Sequence, residues 1–293
     1  MTRSYLYAPG DRPDRFERAL TSGADTVIFD LEDGVAPSKK AEAASNLPAM
    51  LTLRDTIHAG NMAGTAPRVV VRVNAESAAA DCSLALSSGV NGIVLPKATP
   101  GVLDSIAETF QSMASHPRGN SVTTTALHVE LIALIESAAG LLAAAQIAAH
   151  PLVTALALGE ADLFSELRIT PNAPSADLAS IRIGVVVAAA AAGLRAPTAP
   201  VSTNFSDLDQ FAESCAYLRS LGFGARSAIH PAQIPIINEC FRPTQLEIAR
   251  ARELVDDFDA AVAAGRGVIV GEDGTMIDEA VVRSARMLLE QFG

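Results

Sequence analysis

"DTVIFDLEDGVAPSKK" occupies residues 25–40, and its apolar run Val27-Ile28-Phe29 ends in the carboxylates Asp30, Glu32 and Asp33. A continuous apolar run fits a strand covered on both faces, as strands of parallel sheets are. Acids bunched at the carboxyl end of such a strand need positive charge opposite them. In a barrel of parallel strands, that end is the catalytic face.

Further runs of the same kind lie on either side. "SYLYAP" (4–9) precedes it, and "RVVVRVN" (68–74), "NGIVLPK" (91–97), "HVELIALIE" (128–136), "LVTALALG" (152–159), a weaker "APVST" (199–203) and "ARSAIH" (225–230) follow. Helical stretches separate them: "DRPDRFERALTSG", one near 38–53, "CSLALSSG", one near 100–114, "SAAGLLAAAQIAA", one around 175–193 and "DLDQFAESCAYLRSLG". Alternating strands and helices predict an α/β fold with a parallel sheet. Eight such units before residue 240 predict a (β/α)8 TIM-type barrel over 1–240. The doubly wound alternative lacks a GxGxxG after its first strand. Beyond 240 the pattern changes to a helix in "TQLEIARARELVDDFDAAVAAG", a hairpin in "GVIVGEDGTMID" turning at Glu272-Asp273-Gly274, and a helix over 279–291. Residues 241–293 are therefore expected as a C-terminal helix–hairpin–helix extension that packs on the barrel or on a neighbouring subunit.

Composition narrows the function. The chain of 293 residues is 49% hydrophobic and carries a net charge of −11. A length of this order buries roughly 75% of the unfolded surface. The acidic balance argues against a nucleic-acid surface, which needs a basic stripe, and against an anionic membrane. Cys82, Cys215 and Cys240 are odd in number, widely spaced and without a CxxC pair, so they suit neither a disulfide framework nor structural zinc. The N-terminus shows no apolar signal region, and "IGVVVAAAAAGL" (183–194) is too short to span a bilayer. A cytoplasmic protein is expected.

The polar residues crowd one end of the strands: Asp30, Glu32 and Asp33, then Arg72 and Asn74, Lys97, Glu136, Glu160 and Asp162, and His230. The opposite ends read as mostly plain. Side chains alternate along a strand, so Val70, Arg72 and Asn74 share a face, as do Ile132, Leu134 and Glu136. Adjacent fifth and sixth strands let Glu136 and Asp162 converge on one cation. Two carboxylates with room for further oxygens suit Mg2+, whereas a lone strand-end histidine suits zinc poorly. Each residue has a plainer alternative. Glu136 could be an acid at a helix start, Asp162 a helix N-cap and Arg72 a neutralising partner of the strand-two acids. Lys97 reads as structural, His230 as a packing histidine, and His58, His116 and His150 as surface residues.

The blocks "RSYLYAPGDRPDRFERAL", "GADTVIFDLEDGVAPSKK", "VVVRVN", "GIVLPK", "ALIESAAGL", "LALGEADL", "SAIHPAQIPIIN" and "GTMIDEAVVRSARMLL" occur in that order. Together they resemble the citrate lyase beta-subunit-like branch of the HpcH/HpaI aldolase family, over nearly the whole chain. The resemblance implies a Mg2+-binding (β/α)8 barrel that assembles as a homotrimer or hexamer. It implies cleavage or formation of C–C bonds in β-hydroxy acids, with coenzyme A as part of the substrate. Carried over by motif, it makes Glu136 of "ALIES" and Asp162 of the "GEADL" block the metal ligands, with Glu136 also beside the substrate. It gives Arg72 the grip on a substrate carboxylate, places Glu32 and Asp33 behind the ion as orienters of its water, and makes Asp278 of "MID" a proton donor supplied by a neighbouring subunit. Pro9, Gly10 and Arg12 of "YAPGDRP" would line the entrance for the thioester arm. Glu160, the short loop "AESAAADCS" and the segment 163–175 depart from the family pattern, near the ion and where the acyl group would fit.

The function expected is a Mg2+-dependent lyase for a β-hydroxyacyl-CoA of malyl-CoA or citramalyl-CoA type. Close variants hydrolyse the thioester or run the condensation. The alternatives are a citrate lyase beta subunit, working on an acyl-carrier-protein thioester with alpha and carrier subunits, and a non-catalytic barrel scaffold. An aldolase for a free hydroxy acid is a further enzymatic option.

Overall fold

The computed structural model describes residues 2–60, 66–115, 129–169, 178–271 and 274–292. His116 and the turn residues Glu272 and Asp273 lie outside the described residues. Eight parallel strands close into a barrel in chain order: β1 (Ser4–Pro9), β2 (Thr26–Asp30), β3 (Arg68–Arg72), β4 (Gly92–Leu95), β5 (Glu130–Ile135), β6 (Ala155–Leu158), β7 (Thr198–Ala199) and β8 (Ala225–Ala228). This is the expected (β/α)8 architecture.

The strands form where apolar residues can face both ways. Tyr5, Ile28, Val70, Val94, Ile132, Leu134, Ala155, Ala157 and Ala225 fill the barrel interior. Their alternates, among them Leu6, Val27, Phe29, Val69, Val71, Ile93, Leu95, Ala133 and Leu156, pack outward in the layer shared with the helices. Fully burying one side chain such as Phe29 stabilises the fold by about 1.5–3 kcal/mol. Among the described residues the α-helices of this unit are α1 (Phe16–Leu20), α2 (Lys40–Ser45), α3 (Leu47–Gly60), α4 (Ala78–Ser88), α5 (Pro100–Ser115), α6 (Ala138–Leu142), α7 (Ala144–Ala148), α8 (Glu160–Leu167), α9 (Ala179–Ala191), α10 (Leu208–Ser220) and α11 (Ile234–Cys240).

Three elements differ from expectation. The seventh strand lies at Thr198–Ala199 rather than 199–203, because Pro197 and Pro200 flank it and proline cannot donate to a ladder. The single helix expected after β5 is two, interrupted at Ala143 with ψ near 6°. The sixth strand is followed at once by α8, ahead of the expected helix.

Contacts divide the chain into a unit from Thr2 to Phe241 and a second beginning at Arg242. In the second, α12 (Gln245–Ala263) and α13 (Glu279–Phe292) flank a hairpin of β9 (Ile269–Val270) and β10 (Met276–Ile277). Thr244 and Glu247 cap α12 reciprocally, the pattern that satisfies the free N–H groups of a helix start. Among the described residues no helix is long and apolar enough to cross a membrane.

Candidate active site at the carboxyl mouth of the barrel

Register brings the second and third strands' polar ends together, since Asp30 and Arg72 are direct partners across the β2–β3 ladder. The Arg72 guanidinium forks onto Asp30 through Nε and Nη2, both at 2.7 Å. Its Nη1 lies 3.0 Å from Glu32, and its Cζ sits 4.8 Å above the Tyr7 ring. Asp30 also accepts the N–H groups of Glu32 at 2.9 Å and Gly34 at 3.0 Å. A Cβ at Gly34 would collide with that carboxylate. So Asp30 is the partner of Arg72, and the neutralising role allowed for Arg72 is present in the structure. Removing one member of a buried pair of this kind costs about 3–5 kcal/mol. Burial opposes the charge of Arg72, but the Asp30 hydrogen bonds, Tyr7 and Glu32 outweigh it and leave its pKa raised. The guanidinium still has N–H groups beyond those turned to Asp30 and Glu32.

Glu32 is only 2% exposed, and neither of its carboxylate oxygens has a hydrogen-bond partner among the described residues. Its nearest charges are Arg72 and, at 3.7 Å, the Lys97 ammonium. Burial raises its pKa to about 7, with Arg72 and Lys97 opposing and Asp33 and Asp30 adding to the rise. Asp33 itself is exposed. The loop carrying these acids is pinned by Lys40, which donates to the carbonyls of Leu31 and Glu32 and to Asn74 Oδ1.

Glu136 follows β5 directly and is buried. Its Oε1 accepts the Lys97 main-chain N–H at 2.8 Å, a geometry that holds Lys97 at a left-handed φ of 48°. Gly159, just after β6, leaves room for this side chain: a Cβ there would lie 2.7 Å from Glu136 Cβ and 2.8 Å from Oε2. Burial first, then the charges of Glu32 and Asp162, push the Glu136 pKa up to about 8 against the Lys97 N–H and Arg72. Asp162 lies in the first turn of α8, half-buried, and its charge is felt at both Glu136 and Lys97. It is not the helix cap that the plainer alternative made it, because the capping position is Gly159, with no side-chain bond. Among the described residues Asp162 makes no hydrogen bond or ion pair.

The other sequence candidates separate from this cluster. Glu160 turns to Arg182, which forks onto it at 2.6 and 2.9 Å. This ties off the carboxylate expected near the ion. Gly10 is buried against Phe29, donates to Asp30 O at 2.9 Å and accepts from Asn46. Pro9 closes β1 beside Asp30. Arg12 is exposed and bound to Asp14. His230 caps the turn at Ala232 and stacks on Phe205. His150 is not a surface residue: it is largely buried, accepts from Leu152 N and lies 3.5 Å from Asp104. In the second unit, Asp278 Oδ1 accepts the Ala280 and Val281 N–H groups at the start of α13.

The opposite mouth, expected to be mostly plain, carries a charged cluster. Arg68 lies 2.8 Å from Glu130, while Arg195 contacts Glu130 and donates to the Tyr5 hydroxyl at 2.8 Å. Arg68 shares the parity of Val70 and Arg72, and Glu130 that of Ile132 and Glu136, so alternation alone carried this signal. Tyr7, Lys40 and Gly159 were missed at the acidic mouth. Tyr7 was readable from its parity with Tyr5, but only the three-dimensional approach shows the need for Gly159.

The donor set fits a hard divalent cation. Glu136 and Asp162 offer oxygens only, the oxygens of buried Glu32 lack hydrogen bonds among the described residues and its charge acts on Glu136, and the carboxylates outnumber the cations Arg72 and Lys97 whose charges reach them. Among the described residues no three His, Cys, Asp or Glu side chains gather as a ligand set. An ion here would thus take two carboxylates and fill its shell with water and ligand oxygens, as Mg2+ commonly does.

The model of the HpcH/HpaI aldolase/citrate lyase family matches residues 3–231. A (3S)-malyl-CoA thioesterase of Cereibacter sphaeroides is 34% identical, over 98% of this chain and 93% of its own. A citrate lyase subunit beta-like protein of Deinococcus radiodurans is 32% identical over 99% of this chain and 96% of its own. Among solved structures, protein CitE of Mycobacterium tuberculosis, in complex with magnesium, acetoacetate and coenzyme A, superposes with a TM-score of 0.73 at 29% identity, covering 99% of this chain and 97% of that one.

Proposed function

This chain belongs to the HpcH/HpaI aldolase/citrate lyase family, and from that premise we propose that it is a Mg2+-dependent C–C lyase for a β-hydroxyacyl-CoA of malyl-CoA or citramalyl-CoA type. The observation that carries the proposal is the pair of buried acids beside a fixed guanidinium: Glu32, ion-paired but with neither oxygen hydrogen-bonded among the described residues, and Glu136 held by one oxygen only. A buried carboxylate whose oxygens are not all hydrogen-bonded is costly, and a cation relieves that cost.

Glu136 and Asp162 would hold the ion, with Glu32 and Asp33 orienting water behind it. A Mg2+ ion bound there supplies Lewis-acid polarisation of the substrate's hydroxyl and neighbouring carboxylate. Arg72, locked along one edge by Asp30, turns its remaining N–H groups to the substrate carboxylate, a planar match that lysine lacks. Orientation of this kind contributes up to about 7–11 kcal/mol in favourable cases. In cleavage the β-hydroxyl gives its proton to water, from which the donor carboxylate is later reprotonated, and its oxygen becomes the carbonyl of a keto acid. The Cα–Cβ electron pair passes to Cα as a thioester enolate, and a proton delivered to Cα completes the acyl-CoA. Asp278, brought by a neighbouring subunit of a homotrimer or hexamer, is assigned as that donor. Pro9, Gly10 and Arg12 are assigned to the entrance for the CoA arm, and the reading carries a cytoplasmic location with it.

Glu136→Ala and Asp162→Ala are expected to abolish release of pyruvate or glyoxylate from a panel of CoA thioesters, and EDTA is expected to do the same. Undiminished turnover in either variant overturns the metal mechanism. The likeness to a malyl-CoA thioesterase favours hydrolysis as the second reading. Thiol detection separates the two, because hydrolysis frees CoA–SH whereas cleavage releases a keto acid and leaves the thioester whole.

A further inference from the structure

We propose that Lys97 tunes the site between two opposed ligands: its ammonium weakens the hold of the carboxylates on a divalent cation and supplies the positive charge that an anionic keto acid needs. This rests on the reading that the mouth takes both. Lys97 is one of two non-glycine residues with a positive φ among those described, the other being Arg168. Backbone placement of that kind is retained only where the surroundings enforce it. Here it aims the N–H at Glu136 Oε1, at 2.8 Å, and leaves Nζ 3.7 Å from Glu32 Oε1. One residue thus holds the ion's ligand with its main chain and faces the same cluster with its side chain.

Arg72 and Lys97 are not equivalent cations. Arg72 is forked onto Asp30. The Lys97 ammonium makes no hydrogen bond among the described residues, and its side chain is 51% exposed on a flexible stem. It can therefore move from Glu32 to an arriving carboxylate. Its field overlaps those of Glu32, Asp33, Asp162 and Glu136. With only Arg72 facing that many acids, the mouth would favour a cation strongly and repel an anion.

Calorimetry on the full chain tests this, with Mg2+ titrated alone and then pyruvate titrated at saturating Mg2+. Lys97→Met is expected to bind Mg2+ roughly three- to tenfold more tightly and pyruvate weaker by a similar factor, the scale of one unit charge near an ion in a partly solvated site. Lys97→Arg is expected to stay near wild type for both. A purely structural lysine would weaken both ligands together or neither, and either result overturns the proposal. Should Lys97→Met fail to fold, Lys97→Gly removes the same charge in a backbone region glycine occupies freely, and the same opposed shifts are required of it. Wild-type protein that binds no Mg2+ sinks the metal reading as well. Wild-type binding with unchanged variants sinks this inference alone.

Discussion

Glu136 is destabilising as an isolated carboxylate, and the ligand role proposed for it would relieve that cost. Its folded pKa of about 8 lies above the ordinary 4.5. Between those values the folded state binds more protons than the unfolded state, so this group makes stability fall as pH rises. In EDTA, wild-type protein is therefore expected to lose melting temperature relative to Glu136→Gln from about pH 5 to about pH 8, by up to a few kcal/mol of stability. The glutamine keeps an oxygen for the Lys97 N–H and carries no charge to bury. Added Mg2+ is expected to raise the wild type and not the variant, since a ligand stabilises only the fold that binds it. Differential scanning calorimetry checks both halves, and parallel pH profiles with and without EDTA would contradict them. Parity along the strands put Arg72 on one face with Val70, and Glu136 on one face with Ile132 and Leu134, from sequence alone; the structure turns Val70, Ile132 and Leu134 into the barrel interior. The fork between Asp30 and Arg72 was left among alternatives, because which acid of "DLED" meets the guanidinium depends on the turn that Asp30 itself builds with the N–H groups of Glu32 and Gly34.

At the scale of elements, Asp278 has one duty in the structure and a second that is proposed for it, and one pair of variants separates them. It caps α13 through Ala280 and Val281, and it is assigned a proton transfer. Asp278→Ala removes both functions and is expected to cost about 1 kcal/mol of stability. Asp278→Asn keeps an excellent cap and loses only the proton. Equal loss of turnover in both variants, with a lowered melting temperature in alanine alone, supports the assignment. An active Asp278→Asn enzyme contradicts it. The elements themselves were legible wherever apolar runs were long, as in β2, β3 and β5. They were least legible at β7, where Pro197 and Pro200 leave two residues to pair, and after β5, where an alanine-rich stretch gives no hint of the interruption at Ala143.

Across the whole molecule, the order of strands and the acids gathered at one mouth were readable, because a parallel barrel forces every strand to present the same end to the same side. The charged cluster of Arg68, Glu130 and Arg195 at the other mouth was overlooked. Arg68 and Glu130 sit singly at the starts of separate strands, where one charge in an apolar run gives little signal, and Arg195 arrives from the loop before β7. The carboxyl mouth carries more negative charge than its own cations balance, and the family to which the chain belongs includes a relative seen with magnesium and coenzyme A. The most direct test is a crystal grown with Mn2+ in place of Mg2+ and measured for anomalous scattering. The account predicts one strong peak bonded to carboxylate oxygens of both Glu136 and Asp162, at about 2.1–2.2 Å as for a hard divalent ion, with Arg72 still forked onto Asp30. A barrel mouth without a peak, and with those two carboxylates turned apart, would contradict it.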